Sequence, residues 1–158
     1  MDADKYETAL NFLGPMNGKR ILMWGVGAEA IGFALAGADV YGFDSSAVQV
    51  EAVKDLARRL GLRDRTHLQT MEIEQLAYPD DFFDLAFGKT VQEDSDIESG
   101  ARELVRVMKL GARAAFMVPA GNPAGQLVRR AFGSAVVGEC WIGVEKRFAG
   151  IARATGRI

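Results

Sequence analysis

Arg20-Ile21-Leu22-Met23-Trp24-Gly25-Val26-Gly27-Ala28-Glu29-Ala30 decides how this chain folds. Five residues, four of them consecutively apolar, stop at a glycine, the pattern of a short strand buried on both faces. Glycines and small residues follow and lead into a helical segment, Glu29–Ala36, stopped near Gly37. Asp39-Val40-Tyr41-Gly42-Phe43 repeats the strand pattern and closes on Asp44. A strand, a glycine turn, a helix and a second strand within 25 residues make a β-α-β unit. Its strands have to be parallel and its crossover right-handed.

Outward from that unit the alternation continues. Before it, Tyr6, Ala9, Leu10 and Leu13 recur at helical spacing until Gly14-Pro15, so residues 1–18 form a short N-terminal helical segment. After it, Ser46-Ala47-Val48-Gln49 has the form of a capping box, and Val50, Val53, Ala57 and Leu60 line one helix face as far as Gly61. Thr66–Thr70 and Phe82–Phe87 read as the third and fourth strands, the latter reached through the turn Tyr78-Pro79-Asp80-Asp81. Ser95-Asp96-Ile97-Glu98 is a second capping box. The helix it opens carries Ile97, Ala101, Leu104, Val105 and Met108 on its apolar face, with Gly111 just past its end. Ala114–Val118 is the fifth strand, a helix is expected at Gly125–Phe132, and two further strands near Ala135–Ile142 and Phe148–Ala154. No helix separates that last pair, so the terminal strand has to run antiparallel. The expectation is one α/β domain over residues 1–158: a doubly wound, mainly parallel, seven-stranded sheet with an antiparallel terminal strand.

Composition narrows the function. At 158 residues the chain closes one core, and 49% hydrophobic with 25% charged residues is a soluble globular balance. No apolar run approaches the roughly 18–20 residues of a membrane span. The acidic start Met1-Asp2-Ala3-Asp4 is unlike a secretory signal, and a lone cysteine, Cys140, forms no internal disulfide, so the expected compartment is the cytoplasm. One cysteine and one histidine, His67, leave no His/Cys cluster for a metal and no histidine relay, so no metal is expected. A net charge of −2 argues against a dedicated nucleic-acid binder. The charge is uneven: residues 111–158 hold seven basic against two acidic residues, a net +5, and the remainder carries −7. Surface arginines of this kind ordinarily serve solubility. His67, Cys140, Trp24 and Trp141 read as strand and packing residues without a chemical role.

Ligands of doubly wound sheets bind at the carboxyl ends of the strands. Three clusters fall there. Gly25-Val26-Gly27-Ala28-Glu29-Ala30 lets a ligand approach the backbone; as Gly-x-Gly-x-x-Ala it also fits a dinucleotide fingerprint, although such turns serve packing alone in many proteins. Asp44 ends the second strand, where a carboxylate accepts both hydroxyls of a ribose, or simply complements a helix start. Glu72-Ile73 follows the third strand and suits an adenine, with the acid on its amino group and the apolar side chain against its face.

These stretches together resemble the class I S-adenosylmethionine-dependent methyltransferases, whose fold is Rossmann-like. Ile21–Glu29 is similar to the family's first motif, and Val40-Tyr41-Gly42-Phe43-Asp44-Ser45-Ser46 to its second. Glu72–Leu85 looks like its Asp-Ala-x-x-Leu-Pro-Phe-x-x-x-x-Phe-Asp stretch, and Glu103–Ala112 like its Glu-x-x-Arg-Val-Leu-Lys-Pro-Gly-Gly. The four motifs keep the family's order, and the resemblance runs from Lys19 to Arg153. It implies S-adenosylmethionine as cofactor and S-adenosylhomocysteine as product, with methyl transfer to a small molecule by in-line displacement. By position it implies Gly25 and Gly27 at the methionine part, Asp44 at the ribose with Ser45 beside it in the cofactor site, Glu72 and Ile73 at the adenine, and Gly88 and Lys89 near the transferred methyl. Glu29, also counted in the cofactor site, brings a negative charge that either repels the cofactor carboxylate or bonds its ammonium. Lys89, Gln92 and Glu93 lie on the loop after the fourth strand, where a base or positioning group belongs.

Two positions depart from the family pattern. Met23 stands where an acid is usual, and Glu29 replaces the third glycine. They motivate an alternative: a catalytically inactive, methyltransferase-like binding or regulatory module acting through a partner protein. The short segment before the first strand leaves little to enclose a substrate, which a second subunit in a homodimer would supply.

Overall fold

The computed structural model describes residues 3–88, 97–117, 132, 135–137 and 141–147. Helix α1 (Ala3–Leu13) leads into strand β1 (Arg20–Trp24), then α2 (Glu29–Leu35), β2 (Asp39–Asp44) and α3 (Ala47–Arg59). A 3-10 turn (Arg63–Arg65) precedes β3 (Thr66–Thr70), and an irregular segment reaches β4 (Phe83–Gly88). Helix α4 (Ile97–Val107) runs directly into β5 (Met108–Met117), followed by β6 (Ala135–Val137) and β7 (Trp141–Glu145).

The seven strands among the described residues form one sheet in the order β3-β2-β1-β4-β5-β7-β6. β1 pairs in parallel with β2 and β4, β2 with β3, and β4 with β5. β7 lies antiparallel between β5 and β6. Strand order reverses at β1, flanked on one side by the strand that follows it and on the other by β4. Binding crevices of doubly wound sheets open at such a switch point.

Alternation along the strands builds two cores. Leu22, Phe43, Ala86, Ala114 and Phe116 pack with Ala101, Leu104 and Val105 of α4. Ile21, Met23, Val40, Leu85, Phe87 and Ala115 pack on the other face with Ala9 and Leu13 of α1, Ile31 and Phe33 of α2, and Val50 and Val53 of α3. Helices therefore cover both faces, as the near-continuous apolar strands require. Each fully buried Phe or Leu contributes about 1.5–3 kcal/mol, and Phe43, Phe83, Phe87 and Phe116 are all in that state.

Three expectations need correction. The helical pattern carries Met108 on the face of α4 and puts Gly111 beyond its end, yet the helix stops at Val107 and Met108 opens β5 opposite Phe83. The cause is tertiary: the Asp81 and Phe82 amides donate to the Arg106 and Val107 carbonyls at 3.0 and 2.8 Å, and Lys146 Nζ donates to the Met108 carbonyl at 2.6 Å. Gly111 instead turns the chain within the strand at φ +85°, its N–H bonded to the Lys146 carbonyl. Next, the strand read over Ala135–Ile142 is two strands: β6 ends at Val137, and Ile142 belongs to β7, which runs to Glu145. Lastly, the capping box at Ser46 is only half formed. Ser46 Oγ accepts the Gln49 amide at 3.3 Å, but the Gln49 side chain and the Ser46 N–H bond elsewhere. The helix expected at Gly125–Phe132, the strand at Phe148–Ala154 and the cap at Ser95 lie outside the described residues, apart from Phe132, which is buried.

Candidate active site

Register brings the candidate residues to one edge of the sheet. Trp24, the last residue of β1, sits opposite Phe43 of β2 and Gly88 of β4, while Asp44 sits opposite Thr70 of β3. The turn after β1, the acid ending β2, the loop after β3 and the glycine ending β4 therefore occupy adjacent positions at the carboxyl edge.

The glycine turn is fastened to its neighbour. Gly25 has φ +90°, a conformation side chains rarely adopt, and its N–H donates to the Phe43 carbonyl at 3.0 Å. The next amide, Val26 N–H, donates to Asp44 Oδ2 at 3.0 Å, and Ser46 N–H donates to Asp44 Oδ1 at 2.9 Å. Gln49 reaches back from the first turn of α3, its Nε2 donating to the Val26 carbonyl at 2.9 Å. Both polar groups of the Val26 backbone are thus held by side chains from the β2–α3 junction. The sequence pattern gives Gln49 a capping role only. Its sole signal was its place three residues after Ser46, which fits either use.

Asp44 is half-buried and Ser45 exposed. Each carboxylate oxygen of Asp44 accepts one backbone N–H, leaving lone pairs for two further donors. Trp24 lies parallel to Phe43 at 6.4 Å and edge-on to Phe116 at 6.5 Å, an aromatic group beside the turn. Gly88 faces Phe116 so closely that a Cβ there would lie 2.5 Å from the ring. Gly27 is buried in the turn, and Glu29 opens α2, half-buried. Met23 points into the α1/α2/α3 core, fully buried, so that position offers no polar group.

The loop after β3 begins with Met71 N–H donating to the Asp44 carbonyl at 3.0 Å. Glu72 is exposed, and its carbonyl accepts the Gln75 N–H at 3.2 Å. Ile73 is only 3% exposed and rests on Gly100 of α4, so its side chain belongs to the core. Glu103 and Arg106, known from sequence only as motif residues, grip this loop from α4. Glu103 Oε2 accepts the Leu76 N–H at 2.8 Å, and Arg106 donates to the Leu76 and Tyr78 carbonyls at 2.9 and 2.8 Å. The Arg106 hydrogen bonds, aided by that of the Leu76 N–H and outweighing burial, hold the Glu103 carboxyl below its ordinary range.

Lys89, Gln92 and Glu93 lie outside the described residues. Among the described residues no group of three His, Cys, Asp or Glu gathers to hold a metal, and no helix is long and apolar enough to cross a membrane. A cleft of about 330 Å³ lies at the opposite, amino edge, lined by Leu13, Pro15, Lys19, Asp84, Lys109 and Arg113 among others. Its acid is engaged, Asp84 accepting the Arg20 N–H and the Lys109 ammonium, each at 3.0 Å.

The family of methyltransferase domains matches residues 22–116, from β1 to β5. The 2-phytyl-1,4-naphtoquinone methyltransferase of Synechococcus elongatus is 35% identical over 106 residues, covering 63% of this chain and 46% of its own. This chain thus spans just under half the length of the curated relatives it matches. The crystal structure of the [4+2]-cyclase SpnF superimposes with a TM-score of 0.65 at 26% identity, over 73% of this chain and 47% of that one. Geranyl diphosphate C-methyltransferase from Streptomyces coelicolor, solved with Mg2+, geranyl diphosphate and S-adenosylhomocysteine, gives 0.66 at 18% identity, over 73% and 45%. With four motifs in order, the 3-2-1-4-5-7-6 sheet and a family match over more than half its length, the chain belongs to the class I S-adenosylmethionine-dependent methyltransferase family.

Proposed function

We propose that this domain binds S-adenosylmethionine at the carboxyl edge of β1, β2 and β3 and transfers its methyl group to a small molecule. The observation that carries the reading is the Asp44 carboxylate, fixed by two backbone amides beside the glycine turn with acceptor capacity to spare. Those remaining lone pairs suit the paired hydroxyls of a ribose. Gly25 and Gly27 give the methionine part close access to backbone, and Glu29, at the start of α2, is our candidate for its ammonium. Ser45 lies exposed beside the ribose position, and Glu72 is free of the core to accept from the adenine amino group. Ile73 contributes through its backbone, and Gly88 keeps bulk away from the reacting methyl.

When bound, the cofactor supplies an electrophilic methyl on a sulfonium centre. What the chain adds is alignment and exclusion of water, which suffice for an in-line displacement without a strong base. Lys89, Gln92 and Glu93 are our candidates for orienting the acceptor. We assign the chain to the cytoplasm, with no metal and no nucleic acid in its chemistry. The support is its single histidine, single cysteine and net charge of −2. A homodimer is our proposal for completing the acceptor side.

The test is calorimetric titration with S-adenosylmethionine and S-adenosylhomocysteine, beside an Asp44→Ala variant. Micromolar binding that the substitution abolishes is the expected result. A second reading, an inactive module acting through a partner protein, draws on Met23, which is buried in the core where an acid is usual in the family. Absence of binding at millimolar ligand, by folded protein, decides for it.

A further inference from the structure

The loop from β3 to β4 has no regular structure of its own, yet α4 holds both backbone polar groups of one of its residues. Leu76 gives its N–H to Glu103 Oε2 at 2.8 Å and takes Arg106 Nη2 on its carbonyl at 2.9 Å. One turn back, Gln75 N–H donates to the Glu72 carbonyl at 3.2 Å, so the fixed residue adjoins the turn that carries Glu72. Ile73 adds a second anchor against Gly100, where an added Cβ would lie 2.9 Å from Ile73 Cγ1.

The guanidinium of Arg106 is fully used. Nε donates to Glu103 Oε1 at 2.8 Å, and Nη2 to Glu103 Oε2 and the Leu76 carbonyl, both at 2.9 Å. Nη1 donates to the Tyr78 carbonyl and to Asp80 Oδ1, each at 2.8 Å. Five donors meet five acceptors, and the planar fork locks against one carboxylate. A lysine, with one ammonium on a flexible stem, has neither the reach nor the number of donors to repeat this.

We propose that Glu103 and Arg106 are positioning residues for the adenine side of the cofactor site, setting the place of Glu72 and the Ile73 backbone through Leu76. The inference rests on the cofactor site proposed above. Neither side chain touches the ligand. Their effect is to hold in one conformation a loop that otherwise has to be ordered at each binding event, a cost that falls directly on affinity.

The experiment measures S-adenosylhomocysteine and methylthioadenosine affinity by calorimetry for the wild type, Arg106→Lys, Glu103→Gln and Asp84→Asn. Hydrogen exchange of residues 71–77 is followed in parallel. Asp84→Asn is the control, because it breaks the pair with Lys109 at the opposite edge of the sheet. Arg106→Lys is expected to weaken both ligands by a common factor of about tenfold and to speed exchange in the loop. The common factor follows because both ligands present the same adenine. Asp84→Asn should lower the melting temperature and leave affinity within about twofold of wild type. If Arg106→Lys does not fold, Glu103→Gln is read in its place and should show the same pattern to a smaller degree. Faster loop exchange with unchanged affinity overturns the proposal, as does an equal loss of affinity in Asp84→Asn. Wild type that binds neither ligand removes the parent reading and this one with it; wild type that binds as well as its Arg106 variant removes this one alone.

Discussion

The amide of Val26 and the carboxylate of Asp44 are 3.0 Å apart, 18 residues from one another in sequence. This bond ties the glycine turn after β1 to the acid ending β2, so the residue proposed to hold the ribose also shapes the turn proposed to hold the methionine part. Asp44→Ala removes the acceptor for both Val26 and Ser46. Hydrogen bonds to charged groups contribute about 1.5–3 kcal/mol each, and partial exposure brings the expected loss to about 2 kcal/mol in urea denaturation. Asp44→Asn should recover part of that stability, since one oxygen remains to accept. It should not recover ligand affinity, because only one acceptor oxygen remains to serve both the backbone amides and the ribose hydroxyls. An Asn variant that binds as well as wild type would remove Asp44 from the site.

Gly88 is held to glycine by packing. A Cβ there would meet Phe116 Cδ1 at 2.5 Å, and Phe116 is a fully buried ring edge-on to Trp24. Gly88→Ala is expected to cost about 1–3 kcal/mol by overpacking. Gly88→Ala/Phe116→Leu should lose less than the sum of its single changes. Strict additivity in the double-mutant cycle would show that the two sites do not press on one another.

How much of this is legible in the sequence depends on the range of the interaction. The β1-turn-α2-β2 unit, Asp44 and the two-sided strands follow from local pattern, and all stand where the sequence puts them. The end of α4 was illegible, because Met108 continues the apolar period of Ala101, Leu104 and Val105 into what is a strand. Only the amides of Asp81 and Phe82, arriving from the far side of a loop, show where the helix stops. Gln49 and Arg106 were hidden for a related reason: their partners lie 23 to 30 residues earlier in the chain. Position after Glu72 puts Ile73 at the adenine, and nothing local reveals the opening at Gly100 that takes its side chain.

The Glu103 carboxyl predicts a pH dependence. The Arg106 hydrogen bonds, opposed by burial and joined by the Leu76 N–H, hold it below its ordinary value. For Asp84, burial pulls upward, and the Arg20 N–H and Lys109 together outweigh it, so that carboxyl is also lowered. A lowered folded-state value means the unfolded chain binds more protons, so stability is present above the unfolded value of about 4 and is lost as pH falls through the folded one. Denaturation between about pH 3 and 5 should show stability rising with pH, and the slope should be shallower in Glu103→Gln. An identical slope in the variant would place the titration elsewhere.

Tyr78 carries a buried hydroxyl with no hydrogen-bond partner among the described residues. Its ring packs edge-on against Tyr41 at 6.1 Å and Phe83 at 5.1 Å, so the side chain is kept for its aromatic faces. Burial, then the nearby Tyr41, push its ionisation up to about 12. Tyr78→Phe retains the ring contacts and removes a group whose lost hydration costs about 1–3 kcal/mol, so the variant is expected to gain about 1 kcal/mol. Tyr78→Ala, which empties the space instead, should lose roughly 3–5 kcal/mol. The raised value also fixes a sign: the folded protein disfavours the phenolate, so stability falls as pH rises past the unfolded value of about 10, and Tyr78→Phe should flatten that alkaline limb. A Phe variant less stable than wild type at neutral pH would mean that the hydroxyl has a partner worth more than its desolvation.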